Sequence, residues 1–369
     1  MASEVQAEGA VGADQVASAA THADSNAPAD GSDRLTLPPY RDARFYQRRK
    51  KNAWREVPAP DFAGPAVDTH CHLHMLPDPA LELARMAISG VTFAGLVTDP
   101  SEDGTVVFDS LDTWIADALG LVGDLLEGGD DAREGAETAE AADGAVDDAD
   151  AAAREVQLPH VRITAGVHPH NASSYDDALE ARLVELLSDL RVSALGEIGL
   201  DYHYDFSPRD VQRRVFRRQI QLAHDLGLPI ALHIREAHDE ALEILREEGF
   251  PEAGTLLHCC ALSAEELKPW IDAGCYIAYG GALTFKKADA VREACALVPA
   301  DRLLTETDAP YMTPEPMRGV ACTPAHVVFT ADMLTRLTGV APDRIRANAL
   351  ALLDRENPIA HAAHMKGGN

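Results

Sequence analysis

From Ala66 onward, short apolar runs alternate with longer segments whose apolar residues recur every three or four positions. The runs are Ala66–Thr69, Val91–Val97, Val161–Val167, Ser193–Ile198, Pro229–Ile234, Thr255–Cys259, Cys275–Tyr279 and Arg302–Thr305. Each is short enough to predict a strand. The periodic segments between and after them predict helices, among them Pro208–Leu226, Ala237–Glu248, Ala264–Ala273, Ala288–Leu297 and Pro324–Thr338. Eight strands alternating with helices predict an α/β fold of the TIM-like (β/α)8 barrel type, with the active site at the C-terminal strand ends. A doubly wound open sheet has the same alternation, but neither GxGxxG nor GxxxxGK[ST] follows any of the runs.

Three segments depart from this rhythm. Residues 1–38 are rich in Ala, Gly, Asp and Ser and predict a disordered acidic tail. Residues 39–65 interleave Arg41, Arg44, Arg48, Arg49, Lys50, Lys51 and Arg55 with Tyr40, Phe45, Tyr46 and Trp54. A nucleic-acid-binding arm has this composition, and so does an extension that packs its aromatics on a barrel; the second is the reading adopted. The barrel is expected over residues 66–356, interrupted at 127–156 by an acidic Ala/Gly-rich insertion that predicts a flexible extension of the preceding helix. Residues 357–369 are expected to be a flexible C-terminus.

Charge and cysteine usage narrow the chemistry. Sixty acidic against 32 basic residues leave a formal charge of −28, which disfavours an anionic membrane or polymer held on a broad basic surface. Bound divalent cations can reverse that field locally. The six cysteines form no CxxC pair and predict reduced thiols. No apolar stretch is long enough for a membrane span and the N-terminus lacks a secretory pattern, so a cytoplasmic chain is expected. Nothing marks an obligate protein partner, and a monomer is expected.

Asp68-Thr69-His70-Cys71-His72 places two imidazoles two residues apart on the first strand, so both point to one side and can reach one metal ion. Glu197, His233 and His258 close the fourth, fifth and sixth runs, and Asp308 follows the eighth. In a barrel all of them converge on one mouth. His70 and His72 with Asp308 then form one metal site, His233 with His258 a second, and Glu197 has two oxygens with which to bridge them. Two divalent ions per chain are expected, of Zn, Mn, Mg, Fe or Ni. Asp308 is a candidate both to hold metal and to accept a water proton, making Asp308 and Glu197 the candidate catalytic carboxylates.

The chain resembles the TatD family of metal-dependent hydrolases in the amidohydrolase superfamily. Beyond Asp68–Leu73, the resemblance rests on Gly166-Val167-His168-Pro169-His170, Gly196-Glu197-Ile198-Gly199-Leu200-Asp201-Tyr202 and Leu228-Pro229 through His233-Ile234-Arg235-Glu236-Ala237. His258-Cys259 and Glu306-Thr307-Asp308-Ala309-Pro310-Tyr311 complete it. It implies metal-dependent phosphodiester hydrolysis, typically of DNA, with ligands at His70, His72, Glu197, His233, His258 and Asp308. His74 stands where the family usually has Asp, Glu236 where it has Asp, and Cys322-Thr323-Pro324 where it has Asn-Glu-Pro, in a loop expected to shape the substrate cleft. His168, His203 and Arg235 are candidate substrate contacts, whereas His170 is expected at the surface. Asp201 is a candidate to orient a ligand histidine, and Tyr202 and Tyr204 to stack bases. The alternative activity is ester or amide hydrolysis on the same barrel. A non-catalytic binding protein would have lost ligands that this chain keeps.

Overall fold

The computed structural model describes residues 35–131 and 156–355. Residues 1–34 of the expected disordered tail, most of the acidic insertion (132–155) and the C-terminus (356–369) lie outside the described residues. The tail's last residues, 35–38, are described, with Leu35 packed on the core and the Thr36 carbonyl accepting from the Ala321 N–H at 2.9 Å. A two-stranded antiparallel hairpin, β1 (Phe45–Arg48) and β2 (Trp54–Val57), precedes the main sheet. Eight parallel strands follow: β3 (Ala66–Cys71), β4 (Val91–Thr98), β5 (His160–Ala165), β6 (Val192–Asp201), β7 (Ile230–Arg235), β8 (Thr255–Leu257), β9 (Tyr276–Tyr279) and β10 (Leu303–Thr305). Each pairs with its neighbour in chain order, giving a TIM-like (β/α)8 barrel.

The outer layer comprises α1 (Pro79–Ile88), α2 (Val106–Asp131), α3 (Asp177–Leu187), α4 (Arg209–Leu226), α5 (His238–Glu248), α6 (Ala264–Asp272), α7 (Asp289–Cys295), α8 (Val327–Thr338) and α9 (Pro342–Leu353). Two of the helix starts are fixed by aspartates that accept orphan backbone N–H groups. Asp78 accepts from Leu81 at 3.1 Å and Asp176 from Leu179 at 2.8 Å. Every residue of β3 and β6 is buried, as strands covered on both faces must be. None of the described helices is long and apolar enough to cross a membrane.

Element boundaries differ from the expected runs for local reasons. The fourth strand continues to Asp201 because Leu200 and Asp201 pair with Ile234 and Arg235. The sixth stops at Leu257, since Cys259 has a φ of 48° and leaves the extended region. The first turn of the expected helix Pro324–Thr338 is a 3-10 turn, Pro324–His326, capped by Thr323.

Closure between the last and first strands is made mainly by side chains and by backbone beyond the last strand. The Thr69 hydroxyl donates to the Thr305 carbonyl at 3.0 Å, and the Thr305 hydroxyl donates to the Val67 carbonyl at 2.7 Å. Asp68 accepts from the Thr307 N–H at 2.8 Å and the Thr307 hydroxyl at 2.6 Å. Above them the Asp308 N–H donates to the His70 carbonyl at 2.9 Å, and the His72 N–H to the Ala309 carbonyl at 2.8 Å.

The basic and aromatic extension packs against this barrel. Phe45 is buried edge-on against Phe329, with ring centroids 5.0 Å apart, and contacts His326 at 5.5 Å. Arg85 donates to the carbonyls of Tyr40 and Asp42, both at 2.7 Å. Burial holds the His326 imidazole neutral, its pKa pushed down to about 3, while its Nδ1 accepts from the Thr323 N–H at 2.9 Å. An unfolded chain protonates this ring near pH 6.5. The native state therefore binds fewer protons between these values, and stability falls as pH drops through 6.5. Urea unfolding of metal-free protein at stepped pH is expected to lose about 1.4 kcal/mol per pH unit from this group below that point. His326→Phe is expected to lessen the slope; an identical slope in the variant would refute the assignment.

Candidate metal centre

Two irregularities in the strand pairing aim the central side chains. Between β3 and β4, Asp68 pairs with Ala94 and Cys71 with Leu96, so the segment carrying Thr69 and His70 is one residue longer than its partner. Between β6 and β7, Gly196 pairs with Ala231 and Ile198 with Leu232, and Glu197 is left over. Such bulges bend a strand and redirect the extra residue. They need close backbone approach nearby. A Cβ on Gly95 would lie 2.4 Å from the Thr69 carbonyl oxygen, and one on Gly199 (φ +148°) would lie 2.0 Å from that of His233.

Glu197 consequently projects into a ring of imidazoles. Its Oε1 lies 2.8 Å from His233 Nδ1 and 2.8 Å from His258 Nε2. Its Oε2 faces His70 Nε2 at 3.3 Å and His72 Nε2 at 3.8 Å. Asp308, at a φ of 60°, brings Oδ1 to 3.5 Å from His72 Nε2 and 3.8 Å from His70 Nε2. His70 and His258 stack with centroids 3.9 Å apart. The six residues expected to gather at the mouth are together there.

Electrostatics show that the cluster demands positive charge. Burial opposes ionisation of Glu197, yet His258 and His70 hold its carboxyl well below the usual range. Asp308 is lowered too, against burial, chiefly by its contact with His72. Burial also works against a charged His258, but the carboxylates of Glu197 and Glu306 raise it well above the usual imidazole range. His233 is raised to about 9, its burial outweighed by contacts with Asp201 and Glu197. His70 is lowered by burial and by the neighbouring His258, and neither of its ring nitrogens has a hydrogen-bond partner. The carboxylates of Glu197 and Asp308 lie against the imidazoles of His70, His72, His168, His233 and His258. Imidazole nitrogens and carboxylates converging in this way suit divalent ions. His70, Glu197 and His258 form one group able to hold a cation, and His70, His72 and Asp308 another.

The surrounding candidates divide. Asp201 is fully buried and its Oδ2 joins His233 Nε2 (3.0 Å) to His170 Nε2 (2.8 Å), so it fixes the orientation of His233. His168 Nε2 comes within 3.8 Å of Glu197, and burial together with His233 keeps it neutral. The expectation of a surface His170 is wrong. Pro169 opens a 3-10 turn, Pro169–Ser174, and Asp201 draws the ring inward, 4.3 Å from His168. The i, i+2 spacing of His168 and His170, the same as that of His70 and His72, was the available signal. His203 stands at the rim, with Nδ1 2.8 Å from Glu236, and Arg235 lies 4.8 Å over the Tyr204 ring. His74 faces Asp103 at 3.0 Å. Cys322 is fully buried below the Asp308 loop, its N–H donating to Pro310 at 2.9 Å. Cys322 therefore supports the loop from beneath and does not line the cleft.

A family model described as TatD related DNase matches residues 67–355, from the first barrel strand through the last described helix. The chain belongs to the TatD family. The TatD relatives include the uncharacterized metal-dependent hydrolase YabD of Bacillus subtilis, 41% identical over 172 residues, covering 47% of this chain and 68% of YabD. The 3'-5' ssDNA/RNA exonuclease TatD of Escherichia coli K12 is 38% identical over 152 residues, covering 41% of this chain and 58% of that protein. Among solved structures, the TatD homologue YJJV of Escherichia coli K12 superposes with a TM-score of 0.61 at 22% identity, over 79% of this chain and 98% of YJJV. That likeness supports the fold. As a TatD protein, the chain is a metal-dependent hydrolase.

Proposed function

We propose that this chain hydrolyses phosphodiester bonds in single-stranded nucleic acid, with DNA as the expected substrate. The observation that carries the reading is the division of Glu197: Oε1 faces His233 and His258, and Oε2 faces His70 and His72. His70, His72 and Asp308 would hold one divalent ion, His233 and His258 the other, and Glu197 both. Bound there, two such ions would lower the pKa of a water and stabilise charge on the attacking and leaving oxygens of a displacement. Asp308, whose carboxyl is held below the usual range, would accept the water's proton. Asp201 keeps His233 turned toward Glu197. His168, whose burial keeps it neutral, is placed to donate a hydrogen bond to a phosphoryl oxygen, and Arg235 and His203 approach substrate from the rim. The exonuclease naming of a relative 38% identical supports the choice of substrate.

The test is a chelator-stripped preparation reloaded with Zn, Mn, Mg, Fe or Ni and assayed on labelled single-stranded DNA, RNA and simple carboxylic esters. Stripping is expected to abolish cleavage and reloading to restore it, with DNA turned over. Metal-dependent ester hydrolysis with no cleavage of either nucleic acid would overturn the phosphodiesterase reading. At −28, binding is expected to be confined to the cleft, with a shallow dependence on salt.

A further inference from the structure

The loop that leaves β6 carries a stack of rings from the metal cluster out to solvent. Tyr204 is half-buried, with Arg235 over its ring at 4.8 Å. Phe206 stacks on Tyr204 with centroids 5.2 Å apart and planes 15° from parallel. His170 meets both edge-on, at 5.4 Å from Tyr204 and 4.8 Å from Phe206. His170 in turn contacts His233 at 5.9 Å, and His233 touches Glu197. The outermost ring, Phe206, is 60% exposed.

A lone exposed phenylalanine is ordinary. This one is held in place. Gln212 is fully buried; its Nε2 donates to the carbonyls of Asp201 (3.0 Å) and Ser207 (2.8 Å), and its Oε1 accepts from the Asp201 N–H (2.8 Å). Both ends of the loop are thereby pinned to α4. Buried Ser207, next to Phe206, donates to the His170 carbonyl at 2.7 Å and accepts from the Ser173 N–H at 3.0 Å. Arg209 closes the loop on Asp205 and on the Tyr202 carbonyl. The Phe206 ring is thus presented to water by a braced scaffold, linked through His170 and His233 to Glu197.

We propose that Phe206, backed by Tyr204, is a stacking platform for the nucleobase of the nucleotide whose phosphodiester enters the metal centre. The inference rests on the phosphodiesterase reading and adds the part of the substrate that the metals cannot recognise. Every base has a π-face, so such a platform is indifferent to sequence; it requires an unstacked base and therefore favours single strands. It also supplies affinity that a chain of −28 cannot draw from long-range attraction.

The experiment compares wild type, Phe206→Ala and Phe206→Trp, all metal-loaded, on a single-stranded oligodeoxynucleotide and on a strand of equal length built wholly of abasic residues. Loss of one base–aromatic stack is expected to raise KM about 5- to 150-fold for the normal strand, with a smaller change in kcat. Phe206→Trp is expected to restore KM. On the abasic strand the penalty of Phe206→Ala is expected to disappear. Unchanged KM in Phe206→Ala would overturn the platform, as would an equal penalty on both strands, which would mark a structural role. Wild type assayed beside these strands on single-stranded RNA and carboxylic esters, and active on the esters alone, would overturn the phosphodiesterase reading, and the platform with it. Parity of wild type and variant on DNA removes the platform alone.

Discussion

Glu197→Gln is expected to lose metal and turnover together. The substitution keeps the size of the side chain and removes the charge that faces five imidazoles. Loss of a partner outside the ligand shell of a metal site typically costs about 10- to 100-fold in affinity or activity. A residue that serves both ions should cost more, and kcat/KM on single-stranded DNA is expected to fall by over about 100-fold. Metal content after dialysis should fall in parallel. A variant that keeps its metal and works within tenfold of wild type would show that Glu197 does not bridge.

The same variant has a signature in metal-free protein. His233 is raised to about 9, against its burial, by Asp201 and Glu197. Its folded value therefore exceeds its unfolded value of about 6.5. The stability contributed is complete below 6.5 and is lost as pH rises toward 9. Glu197→Gln should shrink this loss, leaving the part due to Asp201. Chemical unfolding of stripped wild type and variant between pH 6 and about 9.5 measures it.

Gly199→Ala is expected to damage both fold and site. Gly199 has a φ of +148°, which an L side chain rarely adopts, and an added Cβ would sit 2.0 Å from the His233 carbonyl oxygen. Backbone strain and overpacking each cost about 1–3 kcal/mol, so a loss of roughly 3 kcal/mol or more in urea unfolding is expected. Relief that separates β6 from β7 carries His233 away from Glu197. A displacement near 1 Å is enough to lower turnover about 100-fold. Gly90→Ala is the control: its φ is +78°, but nothing lies within 4 Å of the added Cβ. It should lose some stability and keep its activity. Equal effects at the two positions would mean that strain alone, without the clash on His233, explains the result.

The parts of this molecule that were legible in sequence are those with a periodic or a spaced signature. Parallel strands buried on both faces read as apolar runs, and all eight appear where the runs lie. Ligands at strand ends are legible because strand termini share one rim, so Glu197, His233, His258 and Asp308 can be grouped although far apart in the chain. What was hidden lacks such a signature. A bulge at Glu197 alters no composition, and only the pairing of Gly196 and Ile198 with Ala231 and Leu232 reveals it. His170 turns inward because of Asp201, 31 residues away. Phe206 reads as a core residue by type, and its exposure follows from the brace supplied by Gln212 and Ser207. Cys322 occupies an expected cleft loop yet is buried, because its backbone is hydrogen-bonded to Pro310.

The closure of the barrel has a temporal meaning. Asp68 and Thr307, whose contact joins the first strand to the Asp308 loop, are 239 positions apart. During synthesis, His70 and His72 emerge early and must wait for nearly the whole barrel before Asp308 can stand opposite them. A chain released prematurely would contain the histidine pair without the carboxylate that completes its site. The proposed hydrolytic centre is thus complete only when the final strand stands beside the first.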